Sequence, residues 1–182
     1  MMHQTTSAGY AETRDALVLE LPYRGTAERD LAMVIVLPKA ADGLAKVEQG
    51  LDAARLAGYV KALRQERVDI TLPRFKLDAA FGVGDTLQAL GMRLAFDRAQ
   101  ADFSGIMPRS EQLFISAVIH KAFVAVDEKG TEAAAATAVV MLAGAKAPTP
   151  GKTFRADHPF TFFLRDRRSG AILFIGRVAD PA

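Results

Sequence analysis

The chain has 182 residues, half of them hydrophobic and 24% charged, with a formal net charge of +2 and a pI near 9.0. This length predicts one domain, and this composition a globular chain rather than a disordered one. There is no cysteine, which excludes disulfides and thiolate catalysis and most structural zinc motifs.

The opening "MMHQTTSAGY" has no apolar core and no basic lead-in, so it does not read as a signal peptide. "ALVLELPY" then alternates as a strand, with Leu17, Leu19 and Leu21 on one face and Val18 and Glu20 on the other. "RGTAERD" is turn-rich. "LAMVIVLP" is a continuous apolar run closed by Pro38, the pattern of a strand buried on both faces, and its short link to the first strand predicts a hairpin. Leu44, Val47, Leu51, Ala54, Leu56, Tyr59 and Leu63 recur at helical steps, and Gly50 and Gly58 divide the stretch into two short helices. "RVDITLPRFKLD" returns to strand alternation through Val68, Ile70 and Leu72, with Phe75 and Leu77 continuing beyond Pro73. "GVGDTLQALGM" is a short helix, with Asp85 near its start and Gly91 as its stop. Phe123, Val124 and Val126 end a further strand. At the C-terminus, Phe160, Phe162 and Leu164 alternate, Ser169-Gly170 turns, and Ile172 to Val178 returns as the second strand of a hairpin. The architecture is mixed: sheets with a few short helices.

Most chemistry-bearing motifs fail on inspection. Lysine and arginine are scattered, so nucleic-acid binding has no electrostatic footprint. The longest charge-free run, Ala133 to Ala145, is too short to span a bilayer. "GVGDTL" begins like a dinucleotide loop, but Leu87 stands where the last glycine belongs, and a helix start is the better reading. His3, His120 and His158 have no partners at metal-ligand spacing; His120 is expected to be a hydrogen-bonded buried residue and His158 a structural one. No G-x-S-x-G elbow supports a serine hydrolase. "RDRR", Arg165 to Arg168, reads as a solvated hairpin tip.

One segment resists this reading. "EKGTEAAAATAVVMLAGAKAPTPGK", Glu128 to Lys152, is rich in small apolar residues and ends in glycine and proline. Alanine propensity fits an exposed helix. In an extended chain, Thr131, Ala133, Ala135 and Thr137 face one way and Glu132 the other. That second pattern suits a strand able to enter an existing sheet, with Gly130 as its hinge.

"VDEKGTEAAAATAVVM", Val126 to Met141, resembles the hinge of inhibitory serpins. "LELPYRG", "MVIVLPK", "LPRFKLD", "LGMRLAFDRAQADFSGI", "ISAVIHKAFVAVDEKGTEA" and "FRADHPFTFFLRDRRSGAILFIGRVADP" also resemble serpin segments, in serpin order, over nearly the whole chain. The resemblance implies an α+β, multi-sheet serpin-like fold with an exposed reactive loop. It implies that residues 1–182 are the C-terminal part of a single serpin domain, opening inside a strand of a second sheet, with the N-terminal half missing and a possible partner. It assigns residues 128–152 to the reactive-centre loop and 128–138 to the hinge, through Glu128, Gly130, Thr131, Glu132, Ala133, Ala134, Ala135, Ala136 and Thr137. The family's spacing puts the reactive bond at Gly144–Ala145, with Lys146 as the alternative recognition residue.

The implied activity is inhibition, not catalysis, with no cofactor and no metal. A serine protease attacks the loop and forms an acyl-enzyme, and the freed loop then inserts into the main sheet. About fourteen residues at roughly 3.3 Å each make the travel roughly 46 Å. Leu142, Ala143 and Gly144 favour an elastase- or subtilisin-like protease, and Lys146 a trypsin-like one. The resemblance also implies an extracellular or periplasmic setting. Two rivals stand beside this reading: a non-inhibitory serpin-fold protein, and an incomplete fragment without autonomous activity.

Overall fold

The computed structural model describes residues 1–23, 30–127 and 151–181. Among the described residues, nine strands and three short helices follow in chain order: β1 (Met2–Glu12), β2 (Ala16–Pro22), β3 (Leu31–Pro38), α1 (Leu44–Gln49), α2 (Ala53–Ala62), β4 (Arg64–Leu72), β5 (Phe75–Gly82), α3 (Gly84–Ala89), β6 (Ile119–Val126), β7 (Lys152–Arg155), β8 (Phe160–Asp166) and β9 (Ile172–Val178). Seven strands form one sheet in the order β7-β4-β1-β2-β3-β8-β9, and β5 and β6 form a two-stranded sheet. The chain divides into two compact units, one of Met1–Phe75 with Val126–Ala182 and one of Lys76–Ala125.

In the first unit the sheet is antiparallel except that β7 runs parallel to β4. The hairpin expected from "ALVLELPY" and "LAMVIVLP" forms, with Val18 opposite Val36 and Leu19 opposite Ile35. β3 is buried along nearly its whole length, as its unbroken apolar run predicts. The residue pattern alone does not announce β1. Its first half is polar, and it earns strand status by pairing with all of β4, from Met2 opposite Leu72 to Tyr10 opposite Arg64.

One face of this sheet carries α1 and α2. Ala11, Ala16, Val18, Val34, Val36 and Phe163 from the strands meet Val47, Leu56 and Tyr59 from the helices. Fully burying one such valine or phenylalanine stabilises by about 1.5–3 kcal/mol. The helical stretch does break in two. The break falls at Gly50, the C-cap of α1, followed by Asp52, whose carboxylate accepts from the Arg55 N–H at 2.7 Å to cap α2. Gly58 breaks nothing and lies inside α2. Arg55 then ties α2 to the β1–β2 connection: its Nε donates to Tyr59 Oη at 2.8 Å, and its guanidinium pairs with Asp15. On β8, Phe160 and Phe162 are fully buried and receive the Phe75 ring at centroid distances of 6.0 and 5.5 Å.

The second unit contains α3, two single 3-10 turns at Leu94–Phe96 and Arg109–Glu111, and most of β5 and β6. The helix start predicted for "GVGDTL" is observed, with Asp85 in the first turn of α3 and Gly91 just beyond it at φ +111°. The Val83 N–H donates to the Val118 carbonyl and the Ile115 N–H to the Ala95 carbonyl, each at 2.9 Å. His120 corrects the sequence expectation. It is exposed, 5.3 Å from the Phe81 ring, because β6 pairs only with β5 among the described residues and leaves its side chains before Val126 partly or fully exposed.

Candidate functional site

The residues assigned to the hinge, Glu128, Gly130, Thr131, Glu132, Ala133 to Ala136 and Thr137, lie outside the described residues. So do Gly144, Ala145 and Lys146 of the expected reactive bond. The structure describes the two stems between which this segment runs.

The entry stem is β6. Its side chains stay partly or fully exposed until Val126, which is 5% exposed. Phe123 is exposed, with the Lys76 ammonium 5.2 Å from its ring centroid. β6 thus delivers the chain to residue 127 from a narrow, open sheet.

The exit stem is held far more firmly. Gly151 lies against the backbone of β4, where an added Cβ would sit 2.8 Å from the Arg67 carbonyl oxygen. Only glycine fits without a shift of the backbone. β7 follows at once and pairs with β4, Lys152 opposite Val68 through Arg155 opposite Thr71. Phe154 and Ala156 are fully buried, and the Ala156 N–H donates to the Thr71 carbonyl at 2.9 Å. Next comes a polar corner. Arg155 Nε donates to Asp157 at 2.8 Å, His158 Nδ1 lies 2.9 Å from the other Asp157 oxygen, and His158 Nε2 donates to the Pro38 carbonyl at 2.6 Å. The His158 hydrogen bond, with a smaller contribution from Arg155, holds the Asp157 carboxyl below its ordinary 3.8. His158 is structural, as its place before Pro159 suggests. It joins the loop before β8 to the end of β3.

Sequence reasoning did not single out Gly151 or Ala156, and used Phe154 only as the start of a serpin-like segment and a landmark for placing the reactive bond. Phe154 was legible as one apolar residue in a four-residue strand, too short to show a period. Gly151 carried no signal of its own, because its neighbour, Arg67, is remote in sequence. Among the described residues no cluster of three or more histidine, aspartate or glutamate side chains is arranged to hold a metal.

"RDRR" follows expectation only in part. Arg165 Nε donates to Glu20 at 3.0 Å, Arg167 Nε lies 3.5 Å from the same carboxylate, and Arg167 reaches Asp30 at 3.1 Å. The Arg165 side chain is 15% exposed. Arg165, within β8, is pinned to β2 by a nearly buried carboxylate, while Arg167 and Arg168 at the tip are exposed, as the solvated-tip reading predicts.

The profile of the family described as Serpin (serine protease inhibitor) matches residues 1–181. The chain belongs to the serpin family. It is 46% identical over 185 residues to an uncharacterised serpin-like protein of Thermococcus kodakarensis, aligning 100% of this chain with 41% of that one. It is 42% identical to human leukocyte elastase inhibitor, over 100% of this chain and 48% of the relative. Among solved structures, uncleaved ovalbumin matches with a TM-score of 0.80 and 26% identity, over 99% of this chain and 44% of that one. The serpin chain described here thus spans less than half the length of the relatives it matches. Its α+β fold, with several sheets and short helices, is that of serpins.

Proposed function

We propose that the chain is the C-terminal half of an inhibitory serpin domain and carries its reactive-centre loop at residues 128–152. The order of the sequence motifs supports this placement within the domain, with the hinge-like "EKGTEAAAAT" ahead of the terminal hairpin. In the whole protein the loop is bait. A serine protease attacks at Gly144–Ala145, and the hinge, Glu128 to residue 138, carries the cleaved strand into the main sheet before the acyl-enzyme is hydrolysed. The protein is then a trap, not an enzyme.

The observation that carries the reading is the contrast between the two stems. The exit is locked by Gly151 on Arg67 and by fully buried Phe154, while the entry strand belongs to a narrow, exposed sheet. A segment tethered firmly at one end can be cut and still keep its downstream part in place. Leu142, Ala143 and Gly144, together with a relative named leukocyte elastase inhibitor, favour an elastase- or subtilisin-like target; Lys146 keeps a trypsin-like one second.

A second reading is that the chain by itself inhibits nothing. The two-stranded sheet favours it, because a strand cannot insert into a gap that lacks its other wall. Incubation with elastase-like, subtilisin-like and trypsin-like proteases, followed by denaturing gels and intact mass, separates the two. A detergent-resistant adduct supports the trap. Clean cleavage between Ala143 and Lys146 without an adduct supports an exposed loop on a chain that cannot complete insertion. In the complete protein, Thr131→Arg converts inhibitor to substrate; unchanged stoichiometry of inhibition would sink the insertion mechanism.

A further inference from the structure

Asp42-Gly43 is the one place in the sequence where glycine follows aspartate, and the chain has no asparagine. An aspartate closes on the next backbone nitrogen most readily when that next residue has no Cβ to obstruct the approach. The structure puts this pair in an exposed turn between β3 and α1. Asp42 is exposed, and among the described residues nothing holds its carboxylate by a hydrogen bond or an ion pair.

The glycine is fixed by packing. A Cβ on Gly43 would sit 2.9 Å from the Ala40 carbonyl oxygen and 2.9 Å from Pro38 Cβ. The missing Cβ that lets the turn close therefore also leaves the Gly43 nitrogen open to Asp42. The Gly43 N–H donates to the Ala40 carbonyl at 2.9 Å, so ring closure proceeds from openings of the turn. Little opposes such openings: α1 has six residues, no side-chain cap at Gly43 and no acidic residue in its first turn.

We propose that Asp42-Gly43 is a site of spontaneous isoaspartate formation, with water as its only co-reactant. The Gly43 nitrogen bonds to Asp42 Cγ, and the carboxyl hydroxyl leaves with the amide proton as water, giving a succinimide. Water then adds to one of the two imide carbonyls. Addition at the Asp42 backbone carbonyl breaks its bond to the Gly43 nitrogen and routes the chain through Cγ. The product keeps its mass, gains a methylene in the backbone and carries its carboxylate on Cα. The extra methylene falls just ahead of Gly43, the N-cap of α1, whose carbonyl accepts from the Val47 N–H at 3.1 Å. Leu44 and Val47, 9% and 1% exposed, are the residues that α1 buries, and the rearranged chain holds them less firmly. The inference does not depend on protease inhibition.

Ageing of the purified full chain in mildly acidic buffer tests it. An endoprotease that cuts before aspartate does not cut before isoaspartate, and mass spectrometry follows the uncut peptide. Peptide uncut between Ala41 and Asp42 accumulates, preceded by a species lighter by one water, while cutting before Asp52 and Asp69 stays complete. Hydrogen exchange on the aged chain shows protection lost in α1 and kept in β2 and β3. Asp42→Glu, whose ring would be one atom larger, stops the accumulation. Asp42→Asn reaches the same succinimide by losing ammonia and accelerates it. Complete cutting before Asp42 in the aged chain overturns the proposal, as does equal accumulation at the other aspartates. An Asp42→Asn chain that keeps its amide overturns it too, because the turn then blocks ring closure. Unchanged protection of α1 in the isomerised chain overturns the assigned effect on that helix.

Discussion

Glu20 shows at the scale of one residue how this fold handles charge. Its carboxylate is 9% exposed and sits between Arg165 and Arg167 of the β8–β9 hairpin. A buried ion pair adds little over an apolar replacement, but removing one partner strands the other. Glu20→Ala leaves the Arg165 guanidinium nearly buried without its carboxylate and should cost about 3 kcal/mol in urea denaturation. Arg167→Ala, at a more exposed group, should cost less than about 1 kcal/mol. Equal losses would show that the site does not discriminate between the two arginines. Gly176 is a second such point. A Cβ there would lie 2.7 Å from the ring of Phe162, which is fully buried and has no room to swing. Gly176→Ala should destabilise by about 1–3 kcal/mol through overpacking. An unchanged denaturation midpoint would mean that the ring relaxes freely.

At the scale of elements, local chemistry made several units legible and left others hidden. The β2–β3 hairpin, α3 and the β8–β9 hairpin each carried a period or a turn signal in their own residues. β1 and β7 did not: one is largely polar along its first half and the other is only four residues long. Both exist because β4 pairs with them. "RVDITLPRFKLD" read as one alternating run, yet β4 and β5 lie in different sheets, separated at Pro73-Arg74. The Ser169-Gly170 turn forms as predicted, with Gly170 at φ +76°. Asp166 supports that turn, accepting from Ser169 Oγ at 2.7 Å and from the Arg168 N–H at 2.9 Å. The Ser169 hydrogen bond, with help from the Arg168 backbone, holds the Asp166 carboxyl below its ordinary 3.8. Because the folded value is depressed, its contribution is present above pH 3.8 and is lost as pH falls through the folded value. Carboxyl titration by NMR should give a midpoint below 3.8, and Ser169→Ala should move it upward. A midpoint at or above 3.8 in the unaltered chain would refute the assigned hydrogen bonding.

At the scale of the whole molecule, the two units differ in kind. One has a packed core of phenylalanine, valine and leucine; the other presents its large apolar groups to solvent. Substituting exposed side chains in the second should therefore leave the first untouched. Leu94→Lys with Ile119→Lys should shift the unfolding midpoint of β2, β3 and β8 by less than about 0.5 kcal/mol, while lowering binding of a hydrophobic dye. A larger shift would show that these side chains contribute to the stability of the packed unit. The hinge was assigned by resemblance, from residues local in sequence, and lies outside the described residues. The exit anchor was not legible, because Gly151 and Phe154 acquire their roles from Arg67 and β4, more than eighty positions earlier.

The amino-acid sequence by itself determined the family, the mixed fold class and the elements whose apolar period or turn residues are contiguous. Those signals need only neighbours along the chain. Tertiary structure alone decided the pairing of the polar strand β1 with β4, the division of the alternating run at Pro73, the exposure of His120 and the burial of Glu20 beneath "RDRR". In each case the deciding partner, or its absence, lies far away in sequence, and burial is a property of what covers a residue rather than of the residue itself.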